Sequence, residues 1–314
     1  MAAGAHIALR GTLRRDEPLS RHTSWRVGGP ARCYYQPADL DDLASFLAQL
    51  PAEEPLLWLG LGSNLLVRDG GFAGTVIATA GARAELSKVD ARTVRVGAGV
   101  ACNKVARFCA GLNLVGGEFL AGIPGTVGGA LAMNAGAFGG ETWSLVRRVE
   151  TIDRRGIRRW RGPSDFQVGY RHVQAPEGEW FVTAELQLQS GDGAAGLARV
   201  KELLERRSAS QPIGLPSCGS VFRNPPGDHA ARLIDACGLK GRRRGGAYIS
   251  PKHANFIIND GSARAADIEG LIAEVADAVE RMQGVRLVPE VVMVGEEGSG
   301  FRVSGFGSEE GKKP

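Results

Sequence analysis

Two stretches of this 314-residue chain carry almost no side-chain chemistry: LGLGSNLLVRDGGF (59–72) and GIPGTVGGALAMNAGAFGGE (122–141), the second with seven glycines. Glycine costs backbone entropy on folding, so such density marks either tight turns or a surface that lies against a ligand. Spacing excludes two common phosphate loops. A Walker loop needs Gly-x-x-x-x-Gly-Lys-Ser/Thr, and the chain contains no such string. Gly60-Leu-Gly62-Ser-Asn-Leu65 begins a dinucleotide fingerprint and fails at its third glycine. What remains is a pair of loops whose N–H groups jointly hold an anion such as a pyrophosphate, with Ser63 and Asn64 adding side-chain donors. Either loop alone is explained by tight turns; the two together favour the anion. The densest basic spot, Arg242-Arg243-Arg244, suits a diphosphate or a solvated loop equally.

Other chemistries are disfavoured. The five cysteines (Cys33, Cys102, Cys109, Cys218, Cys237) are odd in number and form no Cys-x-x-Cys pair. They read as small buried hydrophobes in a reducing compartment, with neither a disulfide framework nor a zinc site. The five histidines show no ligand spacing, so no metal is expected. A net charge of +4 is too small to imply nucleic acid and suits anionic small molecules. No segment approaches the roughly 20 apolar residues of a membrane span. The opening MAAGAHIALRGTLRRDEP lacks the apolar run of a secretory signal, so the chain reads as cytoplasmic.

The elements that must position these loops are partly legible. Helical spacing marks Leu40–Leu50, Val105–Leu112, Leu197–Leu204 and Ile268–Met282, the last stopped by Gly284. Alternation marks a strand over 180–188, and shorter strands fit 56–60, 74–79, 93–97 and 255–259. Helices and strands mix without a strict βαβ rhythm, which makes the fold class α+β. SGDGAA (190–195) reads as a domain boundary, and the Gly/Ser-rich charged tail as disordered.

Seven segments together resemble one family. HTSWRVGGPA (22–31), LGLGSNLLV (59–67), EFLAGIPGTVGGALAMNAGAFGGE (118–141), GYRHV (169–173), LPSCGSVFRNP (215–225), GLKGRRRGGAYISPKHANFIIN (238–259) and LVPEVVMVG (287–295) are similar, in order and spacing, to the UDP-N-acetylenolpyruvoylglucosamine reductases. The resemblance spans residues 20 to 296. It implies a vanillyl-alcohol-oxidase/p-cresol-methylhydroxylase-type FAD-binding domain followed by a smaller α+β substrate-binding domain. The expected division is an extension (1–19), the FAD domain (20–195), the substrate domain (196–296) and the tail (297–314). It further implies NADPH-dependent reduction of the enolpyruvyl UDP-sugar to UDP-N-acetylmuramate, in peptidoglycan synthesis, by a monomer. The alternatives are an oxidase of the same fold and a non-catalytic nucleotide-sugar-binding module.

The resemblance also assigns residues. FAD is expected against Gly60, Gly62, Ser63, Asn64 and Leu65, and against Gly122, Ile123, Pro124, Gly125, Thr126, Gly128, Gly129, Asn134 and Gly136. Arg171 is implied as the grip on the substrate carboxylate, a role that suits a permanently charged two-donor fork. Ser220 is implied as proton donor, and Glu290 as the group that polarises the site and stabilises the enol form. Tyr170, Arg223, Asn224, Lys252 and His253 are expected at the substrate. The short interval between Arg171 and Ser220 implies the subclass without an inserted tyrosine lid. Ser210 stands where many members carry a phosphate-binding lysine.

Overall fold

The computed structural model describes residues 8–81 and 85–298, so most of the tail lies outside the described residues. Its first sheet has the order Thr12–Pro18, Pro30–Gln36, Phe72–Ala78, Leu56–Leu59. The first pairing is antiparallel and the other two are parallel. Residues 12–18, within the segment expected as an extension, are thus a strand of this sheet. The strand's residues 12–16 are all exposed, as suits an edge.

Helix α1 (Leu40–Gln49) returns from this sheet, with Asp39 capping its first turn through Asp42 N–H. Leu43, Phe46 and Leu47 pack with Tyr35 and Ile77. The Tyr35 and Phe46 rings stack at 3.7 Å.

The second sheet is antiparallel throughout, in the order Arg158–Arg161, Val146–Asp153, Glu179–Gln187, Thr93–Gly97, Leu86–Lys88. Val94, Val96, Val149, Ala184 and Leu186 face the largest core. That core is covered by α2 (Cys102–Gly111), α3 (Val127–Met133) and α4 (Gly193–Ser210). Val200 of α4 is buried in it, so α4 belongs with the first domain, and the boundary expected at 195/196 lies beyond its end. On the sheet's other face Glu185, 1% exposed, receives Arg95 at 2.8 Å and Arg148 at 2.7 Å. These two guanidinium groups hold its carboxyl at about 2, below the ordinary 4.5. A carboxylate whose pKa is depressed on folding stabilises the fold above its unfolded value and loses that contribution as pH falls through the folded one. Glu185→Gln should therefore destabilise the protein by roughly 2 kcal/mol at neutral pH, between the range for exposed and for buried pairs because both arginines are partly exposed. The deficit should be full above pH 4.5 and close as pH falls toward 2; chemical denaturation across that range measures it.

The remaining unit contains α5 (Ala230–Ala236), a three-stranded sheet and α6 (Ala265–Gln283), which ends at Gly284 in the left-handed region. It is laced to the first domain. Asp69 accepts the Ala265 and Ala266 N–H groups at 2.9 and 3.0 Å, so a side chain of the first domain caps α6. Arg68 forks onto Glu269. Trp25, fully buried in the second unit's core, donates its indole N–H to Ile257 O at 2.7 Å. Val292–Val294 pairs in parallel with Leu65–Val67, extending the first glycine loop into the second domain. The site is built around this seam.

Candidate active site

The two glycine segments meet face to face. A Cβ at Gly60 would overlap the Thr126 hydroxyl, and one at Gly125 would lie 3.1 Å from Ser63 Oγ. Thr126 Oγ1 is itself buried with no hydrogen-bond partner, a donor and acceptor held at the junction of the two loops. The second segment is more than a loop. Gly122 closes a 3-10 turn (Glu118–Gly122), Ile123 is buried, Pro124 is exposed, and Val127–Met133 is α3. Gly128 faces protein, its hypothetical Cβ 2.9 Å from Ala98 Cβ, and its N–H donates to Ala98 O. That glycine is required by packing of α3 on the second sheet, whatever lies beyond. Gly129, on the same helix, is exposed, and its nearest neighbour is Thr126 Oγ1 at 3.9 Å.

Side by side, a buried unpaired hydroxyl, Ser63 and the bare faces of Gly125 and Gly129 fit a pyrophosphate-bearing cofactor. Gly62 and Leu65 serve this cradle from the protein side: Gly62 packs on the His22–Thr23 backbone, and Leu65 opens the strand paired with Val292. Asn64 also bridges the two domains: its amide donates to Met133 Sδ and Glu290 O, both at 3.0 Å, and so ties α3 to the second domain. Gly129→Val should leave the flavin-free fold at least as stable, since glycine is a poor helix former, while reducing bound flavin per chain severalfold. Melting of the stripped protein and the visible spectrum of the loaded one separate the two effects; full flavin in this variant would move the cradle elsewhere.

Arg171 sits at the tip of a hairpin, Gln167–Gly169 paired with His172–Gln174, with Tyr170 beside it. Its φ of +54° is uncommon for a non-glycine residue. Nη1 donates to Asn134 O at 3.3 Å and Nη2 to Gly136 O at 2.9 Å. Nε lies 3.3 Å from Glu290 Oε1, off line for a hydrogen bond, and is buried without one. These contacts leave one N–H on each terminal nitrogen for a ligand.

Glu290 is brought there by the second domain. Its N–H donates to Val221 O at 2.8 Å, and Phe222 bridges Pro289 in antiparallel fashion. This pairing sets Val221, the residue after Ser220, opposite Glu290. Burial pushes the Glu290 carboxyl above its ordinary value, against the pull of Arg171 and Arg223. The half-buried Ser220 has no hydroxyl hydrogen bond among the described residues and follows Gly219, whose φ is +73°. Arg223 Nε is also buried without a partner. A groove of about 570 Å³ opens here between Tyr170 on one wall and Arg223, Asn224, Arg286 and Val288 on the other.

Asn224 is also engaged by protein where it lines the groove, and Lys252 and His253 are not part of that lining. Asn224 Oδ1 accepts Ala230 N–H at the start of α5. Lys252 Nζ donates to Ser208 O at 2.6 Å, two residues before Ser210, which bonds its own helix. His253 packs edge-on against Phe256, and burial lowers its pKa. Arg242 and Arg244 share Glu274, and Arg243 pairs with Asp260, so two carboxylates offset most of the charge of the basic run.

Two features escaped sequence reasoning. Asn255 mimics a strand: its side chain exchanges hydrogen bonds with Phe222 N and O, and its carbonyl takes Val221 N–H. It thereby fixes the Ser220 segment. A second glycine string, Gly191–Gly196, does meet the Gly-x-Gly-x-x-Gly spacing. However, Asp192 caps the helix that follows, and Gly193 abuts Ala110, so the string serves packing. Among the described residues no three His, Cys, Asp or Glu side chains are grouped to hold a metal, and no helix is long and apolar enough to cross a membrane.

Residues 31–160 match the family model of an FAD binding domain, which makes this chain a flavoprotein by class. Residues 211–294 match the C-terminal domain of UDP-N-acetylenolpyruvoylglucosamine reductase. The reductases of that name from Methylococcus capsulatus and Alkalilimnicola ehrlichii are 65% and 64% identical to it, each over 94% of this chain and 97% and 99% of their own. The crystal structure of the reductase from Thermus caldophilus superposes with a TM-score of 0.76 at 34% identity, covering 91% of this chain and 99% of that one. The chain belongs to the UDP-N-acetylenolpyruvoylglucosamine reductase family.

Proposed function

We propose that this chain reduces the enolpyruvyl ether of UDP-N-acetylglucosamine to UDP-N-acetylmuramate, with Arg171, Ser220 and Glu290 as its catalytic residues. The carrying observation is the convergence of Arg171, from the first domain, on Glu290 and the adjoining Ser220 strand of the second. FAD, which Gly60–Ser63 and Gly125–Gly129 would hold, would supply the hydride once reduced by NADPH.

The chemistry assigns each residue a task. Hydride adds to the methylene carbon, the electron pair of the double bond moves to the adjacent carbon, and charge spreads into the carboxylate. The free N–H of each Arg171 terminal nitrogen holds that carboxylate and meets the charge as it grows. Asn134 O and Gly136 O fix the guanidinium plane beforehand, so little reorganisation accompanies the reaction. Ser220 delivers the proton to the carbanionic carbon, completing the lactyl group; the serine recovers its proton from solvent. Glu290 sets its carboxyl beside the Arg171 guanidinium, where it polarises the site; burial raises its pKa against the pull of Arg171 and Arg223. Arg223 and Arg286 line the groove where a diphosphate needs cations.

Phosphorylated substrates and buried thiols with no disulfide among the described cysteines suit a cytoplasmic setting. The test is NADPH oxidation by the flavin-loaded protein with and without the enolpyruvyl UDP-sugar. Turnover should require that substrate and yield UDP-N-acetylmuramate; sustained oxidation that consumes oxygen and ignores the substrate would identify an oxidase instead.

A further inference from the structure

We propose that Asn134 is a positioning residue for Arg171, holding both the loop that carries the arginine and the guanidinium itself. The inference rests on the reading of Arg171 given above. Asn134 closes α3 in the left-handed region, at φ 44° and ψ 52°, and is 1% exposed. Every polar group on its side chain is engaged by protein. Nδ2 donates to Glu141 Oε2 at 3.0 Å and to Gly169 O at 3.1 Å, while Oδ1 accepts Trp143 N–H at 3.1 Å. Both side-chain N–H donors are therefore spent on protein.

The direction of these bonds carries the argument. Gly169 lies two residues before Arg171, so the side chain grips the hairpin arm next to its tip. The main-chain carbonyl of Asn134 takes Arg171 Nη1, and Gly136, two residues on, takes Nη2. One residue thus fixes the arginine's backbone through its side chain and the arginine's head through its backbone. Arg171 needs the support, because its own φ of +54° is a sparsely populated conformation for a residue with a side chain. Trp143 anchors the anchor: its indole N–H donates to Leu131 O in α3. Asparagine suits the position because it tolerates the left-handed turn and presents donors and an acceptor on a short stem.

Two substitutions test this in the flavin-loaded enzyme. Asn134→Asp keeps the size and the Trp143 acceptor but removes both N–H donors; Asn134→Gly keeps the backbone conformation and removes the side chain. Both should bind flavin at the wild-type ratio and be reduced by NADPH at the wild-type rate. Transfer to the enolpyruvyl UDP-sugar should fall about 10²-fold, the scale of an ångström's misplacement of a reacting group. The decisive readout is coupling: in an Arg171→Ala background, Asn134→Gly should cost nothing further in transfer. Additive losses, wild-type transfer in both single variants, or loss of flavin from both would overturn the proposal, the last returning Asn134 to the cofactor cradle. If Arg171→Ala itself transfers normally, the reading of Arg171 fails first and takes this inference with it.

Discussion

Ser220→Ala should separate the two halves of the catalytic cycle. Flavin reduction by NADPH involves no proton delivery to a substrate carbon, so the variant should bleach at a near-normal rate. Reoxidation by the enolpyruvyl UDP-sugar should slow by about 10²–10⁴-fold, the usual contribution of a general acid. The structure makes the comparison clean. The Ser220 hydroxyl has no protein hydrogen bond among the described residues, so its removal should change stability by no more than about 0.5 kcal/mol. Ser220→Cys should recover part of the rate, because a thiol donates a proton from nearly the same place. Rapid mixing of the pre-reduced protein with substrate, without oxygen, reads the step directly. Wild-type reoxidation in Ser220→Ala would mean that the proton comes from another group.

Arg171→Lys should lose about 10²–10³-fold in the same step, the range for removing a preorganised donor from a developing oxyanion. An ammonium is a single point with three donors. The guanidinium here spans Asn134 O, Gly136 O and the flank of Glu290 while keeping an N–H on each terminal nitrogen for the substrate. Lysine can meet the carbonyls or the carboxylate, and it cannot meet both in one plane. Reduction by NADPH should again be unaffected. Equal losses in both half-reactions would instead indicate a disturbed cofactor, and unchanged transfer would place the carboxylate grip elsewhere.

The amphipathic helices were legible in the sequence because their apolar spacing survives into the fold: α1 and α6 lie where Leu40–Leu50 and Ile268–Met282 place them. The glycine segment hid a helix, since Gly128 and Gly129 are poor helix formers kept for packing and exposure rather than propensity. The strand Val146–Asp153 was missed because its buried residues include Glu150 and Thr151, paired with Thr183, Arg158 and Glu179, which breaks the apolar alternation. At the site, motif resemblance picked out Arg171, Ser220 and Glu290, yet no local pattern shows that Arg171 and Glu290 lie 3.3 Å apart. That approach depends on Val292–Val294 crossing back to Leu65–Val67 and on Glu290 pairing with Val221. Asn64, Asn134 and Asn255 illustrate the same limit: each bonds partners distant in sequence, which no local pattern around an asparagine announces.

The central claim is that this centre passes a hydride to an enolpyruvyl UDP-sugar and protonates the neighbouring carbon. Anaerobic mixing of the NADPH-reduced wild-type protein with that substrate in deuterated water tests it most directly, with flavin absorbance followed in time and the product examined by NMR. The account predicts prompt reoxidation and solvent deuterium at the carbon bearing the carboxylate, with the hydride on the methyl carbon. A flavin that stays reduced, or deuterium found only at the methyl carbon, would contradict it.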